Sequence, residues 1–327
     1  MTPTMFSMAP QPPPPWKKVL VTAGASFLGS HLCEHLLDAG VDVDCVDDLP
    51  TGSSRNVAHL TDRPGFRFLS PDLTGADLTE ALPGPYDLVL HSACPAADAL
   101  AHPLETLDAA SLGTRNALAV AERDGARFLL ASTCVLHGDP PGDSQRFAEA
   151  LTTAFVSATE ADAGIVRVFP VYGPRMGPAD GRMIPALIRQ ALSGGPVTVP
   201  GDGSGRPSLC YVDDTVDGVL LVAASRSVRP VDIGGDPGPT VAEIARRVLD
   251  LTGSDARLEY TGTSAGNTEN PEPPAPATGF AHELFGWTPK VPLEEGLRRT
   301  VADFVGRESD SRSAPGAEGG VRHACSW

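Results

Sequence analysis

Short apolar runs alternate with helix-period stretches through the first half of this chain, and that alternation leaves few folds open. "KVLVT" is followed by "FLGSHLCEHLLDAG", and then come "VDVDCVD", "FRFLS" and "YDLVLHSA". "LETLDAASLGTRNALAVAERDG" leads into "ARFLLAST", and "DSQRFAEALTTAFVSATEADAG" leads into "GIVRVF". A strand returns parallel to its predecessor only over a connection long enough to hold a helix, so this order predicts a doubly wound parallel sheet of the α/β class. Beyond "GIVRVF" the spacing loosens into Gly/Pro-rich loops with short helices, "GRMIPALIRQALSGG", "TVAEIARRVLDLTG" and "LEEGLRRTVADFVG". The sheet domain is placed at 16–170 and a smaller lobe, mainly for substrate and with returns to the sheet, at 171–306. The Pro-rich arm 1–15 and the tail 307–327 hold too few apolar residues to offset the entropy of ordering and are expected to be disordered.

Composition narrows the partners. A chain of 327 residues with 41% hydrophobic content can bury one large core or two modest ones. A formal charge of -16 argues against nucleic acid and anionic membrane surfaces. No 18-residue apolar segment occurs, and "MTPTMFSMAPQPPPPW" lacks the charge and apolar run of a secretory signal, so the cytoplasm is the expected compartment. Six cysteines (Cys33, Cys45, Cys94, Cys134, Cys210, Cys325) form no CxxC pair and read as reduced thiols, mostly core fillers, with no metal site expected.

The strand "KKVLVT" passes through "AGASFLG" into a helix, and Asp47 closes the next strand roughly 20 residues on, the spacing of a Rossmann dinucleotide site. Small residues permit the turn, the helix N-terminus faces a pyrophosphate, and the acid takes the adenosine ribose hydroxyls. An acid at Asp47 with no Arg beside it favours NAD over NADP. A tight strand-to-helix turn that binds nothing is the competing reading.

The segments "VTAGASFLGSHL", "VDDLPTG", "HSACPAADAL", "GARFLLASTCVLHGDP", "VYGPRM", "DGRMIPALIRQAL", "YVDDTVDGV" and "FGWTPKVPLEEGL" give the chain its resemblance to a known family. It resembles an extended short-chain dehydrogenase/reductase of the NAD-dependent epimerase/dehydratase family, and is most similar to the UDP-glucuronate decarboxylase branch, over about Lys17 to Val305. The resemblance implies that Gly24, Phe27, Leu28, Gly29, Asp47, Asp48, Thr51, Gly52, Asp72 and Leu73 hold NAD. It also exposes departures, since the first two glycines of the family loop are here Ala23 and Ser26.

The family's chemistry uses a Tyr as base and a Lys four residues on, one helical turn apart on one face, to lower the Tyr pKa and grip the nicotinamide ribose. Their positions are Pro141 and Gln145. No YxxxK exists anywhere, because the lysines are Lys17, Lys18 and Lys290 and the tyrosines Tyr86, Tyr172, Tyr211 and Tyr260. Ser132 and Thr133 stand, but the Ser-Glu pair that follows in the decarboxylases is Cys134 and Val135, and "VYG" is "LHG" with His137. On the substrate side, Pro170, Pro207, Pro274 and Ala277 replace residues that hold the nucleotide. Arg175, Arg182 and Arg206 remain as candidate anion ligands, or as solvated and helix-capping arginines.

Three functions stay open on these residues: a decarboxylase-like enzyme using NAD with substitute groups, a non-catalytic binding or partner subunit, and a non-redox enzyme built on Thr133, Cys134 and His137. The expected ligand is a small molecule of the nucleotide-sugar kind. Apolar content beyond one buried face in "LDAASLGTRNALAVA" and "FAEALTTAFVSA" predicts a homodimer, or a heterodimer with a related subunit, through helices near 102–124 and 143–162.

Overall fold

The computed structural model describes residues 15–49, 52–92, 102–133, 140–177, 181–262 and 276–313. Strands run β1 (Lys18–Thr22), β2 (Asp42–Val46), β3 (Phe66–Leu69), β4 (Leu88–Ser92), β5 (Arg127–Thr133), β6 (Ala163–Val168), β7 (Val171–Tyr172), β8 (Val197–Val199), β9 (Cys210–Tyr211), β10 (Val231–Ile233) and β11 (Leu258–Tyr260). Helices run α1 (Phe27–Asp38), α2 (Ser54–Val57), α3 (Leu78–Ala81), α4 (Pro103–Asp108), α5 (Thr114–Asp124), α6 (Pro140–Thr159), α7 (Met183–Ser193), α8 (Val212–Ala224), α9 (Val241–Thr252), α10 (Gly279–Phe285) and α11 (Leu293–Ser313).

Seven strands form one sheet in the order β10-β6-β5-β4-β1-β2-β3, every neighbouring pair parallel. Helices cover a sheet of this kind on both faces, which is why its inner strands are apolar throughout: Val19, Leu20 and Val21 of β1 and Phe128, Leu129 and Leu130 of β5 are all buried. Chain order reverses between β1 and β4, and ligands of such sheets bind outside the carboxyl ends of the strands at that switch. The doubly wound α/β architecture read from the sequence is the one observed.

The chain divides into two compact units. The first takes 1–171, 206–238 and 268–291 and holds the sheet; the second takes 172–205, 239–267 and 292–327. In the second unit β8 and β11 pair in parallel and α7, α9 and α11 pack together. Helix α9 is specified locally by a capping box of Thr240 and Glu243 at its start and a left-handed Gly253 at its end, and it buries Val241, Ile244, Ala245 and Val248 at helical spacing.

Two expectations change. The stretch read as one helix from 102 to 124 is broken by a π-helical turn at Ala109–Gly113. The tail expected to be disordered from 307 is instead helical to Ser313, because Asp303 pairs with Arg307, which also donates to the Met176 carbonyl at 2.9 Å, while Phe304 is buried. Cys33, Cys45 and Cys210 are buried and form no disulfide, as core fillers would be; Cys94, Cys134 and Cys325 lie outside the described residues. Among the described residues no helix is long and apolar enough to cross a membrane, and no group of three or more His, Cys, Asp or Glu is placed to hold a metal.

Candidate functional site

The loop between β1 and α1 is set by its glycines. Gly24 donates its N–H to the Val46 carbonyl at 3.1 Å, and a Cβ there would stand 2.6 Å from Cys45 Sγ. A Cβ on Gly29 would collide with the Ala23 carbonyl, so the first turn of α1 lies directly on the loop, the contact that needs a glycine in dinucleotide sites. The two departures from the family loop have different costs. Ala23 has φ 49, the left-handed region that glycine occupies freely. Ser26 fits, since it is the N-cap of α1 and its Oγ accepts from Gly29 N at 3.2 Å. Phe27 is buried and Leu28 half-buried.

Asp47 is 3% exposed at the carboxyl end of β2. Its Oδ2 accepts from Ala25 N at 2.9 Å and its Oδ1 from Leu49 N at 2.8 Å. Burial raises its pKa, and the backbone donors at Leu49 and Ala25 oppose that without cancelling it. Gly52 lies against this carboxylate, so a Cβ there would come within 2.7 Å of Oδ2. The segment after β2 folds back on the loop between β1 and α1 through Ser53 N and Asn56 Nδ2, which both donate to the Ala25 carbonyl. Asp48 is exposed, and Thr51 lies outside the described residues. After β3, Asp72 is exposed and accepts from Thr74 N at 2.8 Å and Thr74 Oγ1 at 2.7 Å, hydrogen bonds that lower its pKa; Leu73 packs on the core.

A buried polar group that the sequence reading missed ties these strand ends together. His91 of β4 is 1% exposed. Its Nδ1 is 2.8 Å from Thr22 Oγ1 and its Nε2 3.1 Å from Thr114 Oγ1, and burial pushes its pKa down to about 4, so the ring is neutral. A histidine interrupting the apolar run "LVLHS" was the available signal; its partners, far off in sequence, left none.

At the other end of the cleft stand β5 and α6. Thr133 is the last residue of β5 and half-buried; Ser132 before it is buried, and its Oγ has no hydrogen-bond partner among the described residues. Cys134 and His137 lie outside the described residues. Helix α6 begins at Pro140, so Pro141 falls in its first turn, where a missing N–H is tolerated. Gln145 is fully buried on the same helix. One turn further, Glu149 takes a two-point ion pair from Arg167 of β6 at 2.9 and 2.7 Å. Among the described residues of β5 and α6 no tyrosine stands with a lysine beside it. Tyr86 OH donates to Asp44 at 2.6 Å, Tyr172 OH to the Leu293 carbonyl at 3.4 Å, Lys18 pairs with Asp44 and Lys290 with Asp217. Cys210 is no nucleophile, since burial pushes its thiol up to about 12.

The three arginines divide between the units. Arg206 belongs to the first, is exposed, and donates Nη1 to the Gly238 carbonyl at 2.9 Å. Arg175 and Arg182 belong to the second: Arg175 has φ 69 and donates its backbone N–H to Asp303, and Arg182 is the exposed N-cap residue of α7.

A glycine-set loop on a helix N-terminus, a buried acid at the next strand end and a switch point beside both fit the adenosine diphosphate half of a dinucleotide, which places the first unit in the class of Rossmann dinucleotide-binding domains. Residues 19–234 match the NAD dependent epimerase/dehydratase family, and the chain belongs to that family. UDP-glucuronic acid decarboxylase 1 of Xenopus tropicalis is 33% identical over 311 residues, 88% of this chain and 72% of the relative. UDP-glucuronic acid decarboxylase 4 of Arabidopsis thaliana is 35% identical over 311 residues, 88% of this chain and 68% of the relative. Among solved structures, UDP-glucuronic acid 4-epimerase from Bacillus cereus, in complex with UDP-glucuronic acid and NAD, superposes with TM-score 0.79 at 24% identity over 89% of this chain and 99% of that one, a likeness of fold. The family is one of NAD-dependent sugar-nucleotide epimerases, dehydratases and decarboxylases.

Proposed function

We propose that this chain binds NAD and a nucleotide sugar but has lost the family's proton-coupled chemistry, and serves as a non-catalytic binding or partner subunit. Gly24, Phe27, Leu28 and Gly29 face the pyrophosphate, Asp47, Asp48, Thr51 and Gly52 the adenosine ribose, and Asp72 and Leu73 the adenine. NAD is preferred to NADP because the Asp47 carboxylate repels a 2′-phosphate. When bound, NAD supplies a hydride acceptor; this chain's part is to take the proton of the sugar hydroxyl, and among the described residues no tyrosine or lysine stands at the family's positions to do so. One observation carries the reading: Gln145, at the position of the family lysine, is a fully buried neutral amide, one helical turn after a proline at the position of the base.

Assembly fits the same reading. Leu104, Leu107, Leu112 and Phe147 are exposed large apolar side chains of α4, the π-turn and α6, where helices 102–124 and 143–162 were expected to pair. The partner is a second copy or a related subunit. The test is direct: purified protein given NAD and UDP-glucuronate releases no carbon dioxide above background and forms no UDP-xylose. General base catalysis supplies roughly a hundredfold to ten-thousandfold, and here both the base and its activating lysine are gone. Turnover at about one per second or faster overturns the proposal.

A further inference from the structure

We propose that Asn116 is a positioning residue for the adenine end of the cleft: its side-chain amide fixes loop 72–75 in the shape that receives the dinucleotide. The inference rests on the NAD reading above and assigns a role to a residue outside the cofactor set. Asn116 is half-buried in the first turn of α5, and its Nδ2 donates to both the Leu73 and the Gly75 carbonyl, each at 2.9 Å. One amide thus holds two carbonyls of a four-residue loop. The loop is closed from within as well, by Gly75 N on the Asp72 carbonyl at 3.1 Å and by the Asp72 carboxylate on Thr74.

The π-helical turn at Ala109–Gly113 sets the direction of this tie. Directly after it, Thr114 is fully buried and meets His91, and two residues later Asn116 faces the loop instead, since positions i and i+2 on a helix do not share a face. Gly113, last in the turn, is close enough that a Cβ there would rest 3.8 Å from Leu73 Cβ. The start of α5 therefore serves two clients, the inner strands through Thr114 and the adenine-side loop through Asn116. Holding a loop in its bound shape before ligand arrives strengthens binding by removing the ordering cost.

The experiment compares wild type, Asn116→Leu and Thr114→Val by calorimetric titration with NAD, ADP-ribose and nicotinamide mononucleotide, with melting temperatures measured alongside. Asn116→Leu removes the donor at similar volume, so NAD and ADP-ribose should bind about tenfold more weakly, on the scale of one or two lost hydrogen bonds, while the mononucleotide is unchanged. Thr114→Val should lower the melting temperature yet leave ADP-ribose binding within about twofold. If Asn116→Leu does not fold, Asn116→Asp keeps the shape and turns a carboxylate toward the two carbonyls, with the same loss expected. Wild-type affinity for ADP-ribose in the Asn116 variant, or equal losses in the Asn116 and Thr114 variants, overturns the proposal. A wild type that binds neither NAD nor ADP-ribose overturns the NAD reading, and this inference with it.

Discussion

The two ends of the cleft in the first unit have diverged in opposite ways. At the adenosine end, around β1, β2 and β3, the glycines at 24 and 29 remain where a Cβ would collide, and Asp47 is buried with backbone donors on both oxygens. At the reacting end, around β5 and α6, a helix opens on prolines and a fully buried amide stands where a cation belongs. On the proposed reading, ligand-holding backbone is also fold-holding backbone, so it would persist if the chemistry were lost. Helix α6 keeps its place through apolar packing and the Glu149–Arg167 pair.

The largest expected effect probes the reacting end. Gln145→Lys restores the family residue at a position with no solvent access, and should destabilise the protein by about 3 kcal/mol or more, the scale of an unpaired buried charge. A denaturation midpoint equal to wild type would show that the site still accommodates a lysine, and the contrast between the two ends would weaken.

Acid tests the adenosine end and the strands beside it. Asp44 of β2 is raised by burial, but hydrogen bonds from Arg67 and Tyr86 and the charges of Lys18 and Arg67 outweigh this and hold its carboxyl below the ordinary value. That contribution is complete above the unfolded pKa and is lost as pH falls through the folded one. His91, neutral and held near 4 by burial, acts with the same sign: the unfolded chain takes the proton first, so stability falls between about pH 6.5 and 4, by about 3 kcal/mol for this group alone. His91→Phe should flatten that part of a stability-versus-pH curve, and an unchanged slope would contradict the neutral, bonded histidine.

Asp47→Asn should weaken NAD binding by about 1.5 to 3 kcal/mol, the worth of a charged hydrogen bond, and narrow the preference over NADP, read by calorimetry. Tighter NADP than NAD binding by the wild type would refute the Asp47 assignment. The smallest effect is expected at Ala23, whose φ of 49 strains a residue with a Cβ. Ala23→Gly should raise stability by roughly 0.5 to 1 kcal/mol, since relief of strain exceeds the added unfolded-state entropy.

What the sequence disclosed follows from how local each feature is. The strand–turn–helix at 18–38 and the acid at the end of the next strand were legible because strand, turn, helix and acid lie within one βαβ unit. That the chain holds no YxxxK was legible because three lysines and four tyrosines can be checked one by one. The His91 network was not, since Thr22 and Thr114 lie 69 and 23 residues from it. Nor was the π-turn, a single wide turn too short to read from the residue pattern, nor the extension of α11 to Ser313, which depends on Arg307 finding a carbonyl 131 residues away.

The contrast between the two ends reduces to one rapid-mixing measurement. Protein equilibrated with NAD is mixed with excess UDP-glucuronate, and absorbance at the wavelength of reduced nicotinamide is followed while bound NAD is counted by mass spectrometry of the same sample. Intact, unreduced NAD on the protein with no absorbance rise is the predicted result. A rise matching the bound NAD in amount would contradict it, since hydride would then leave the sugar in a chain that holds no YxxxK.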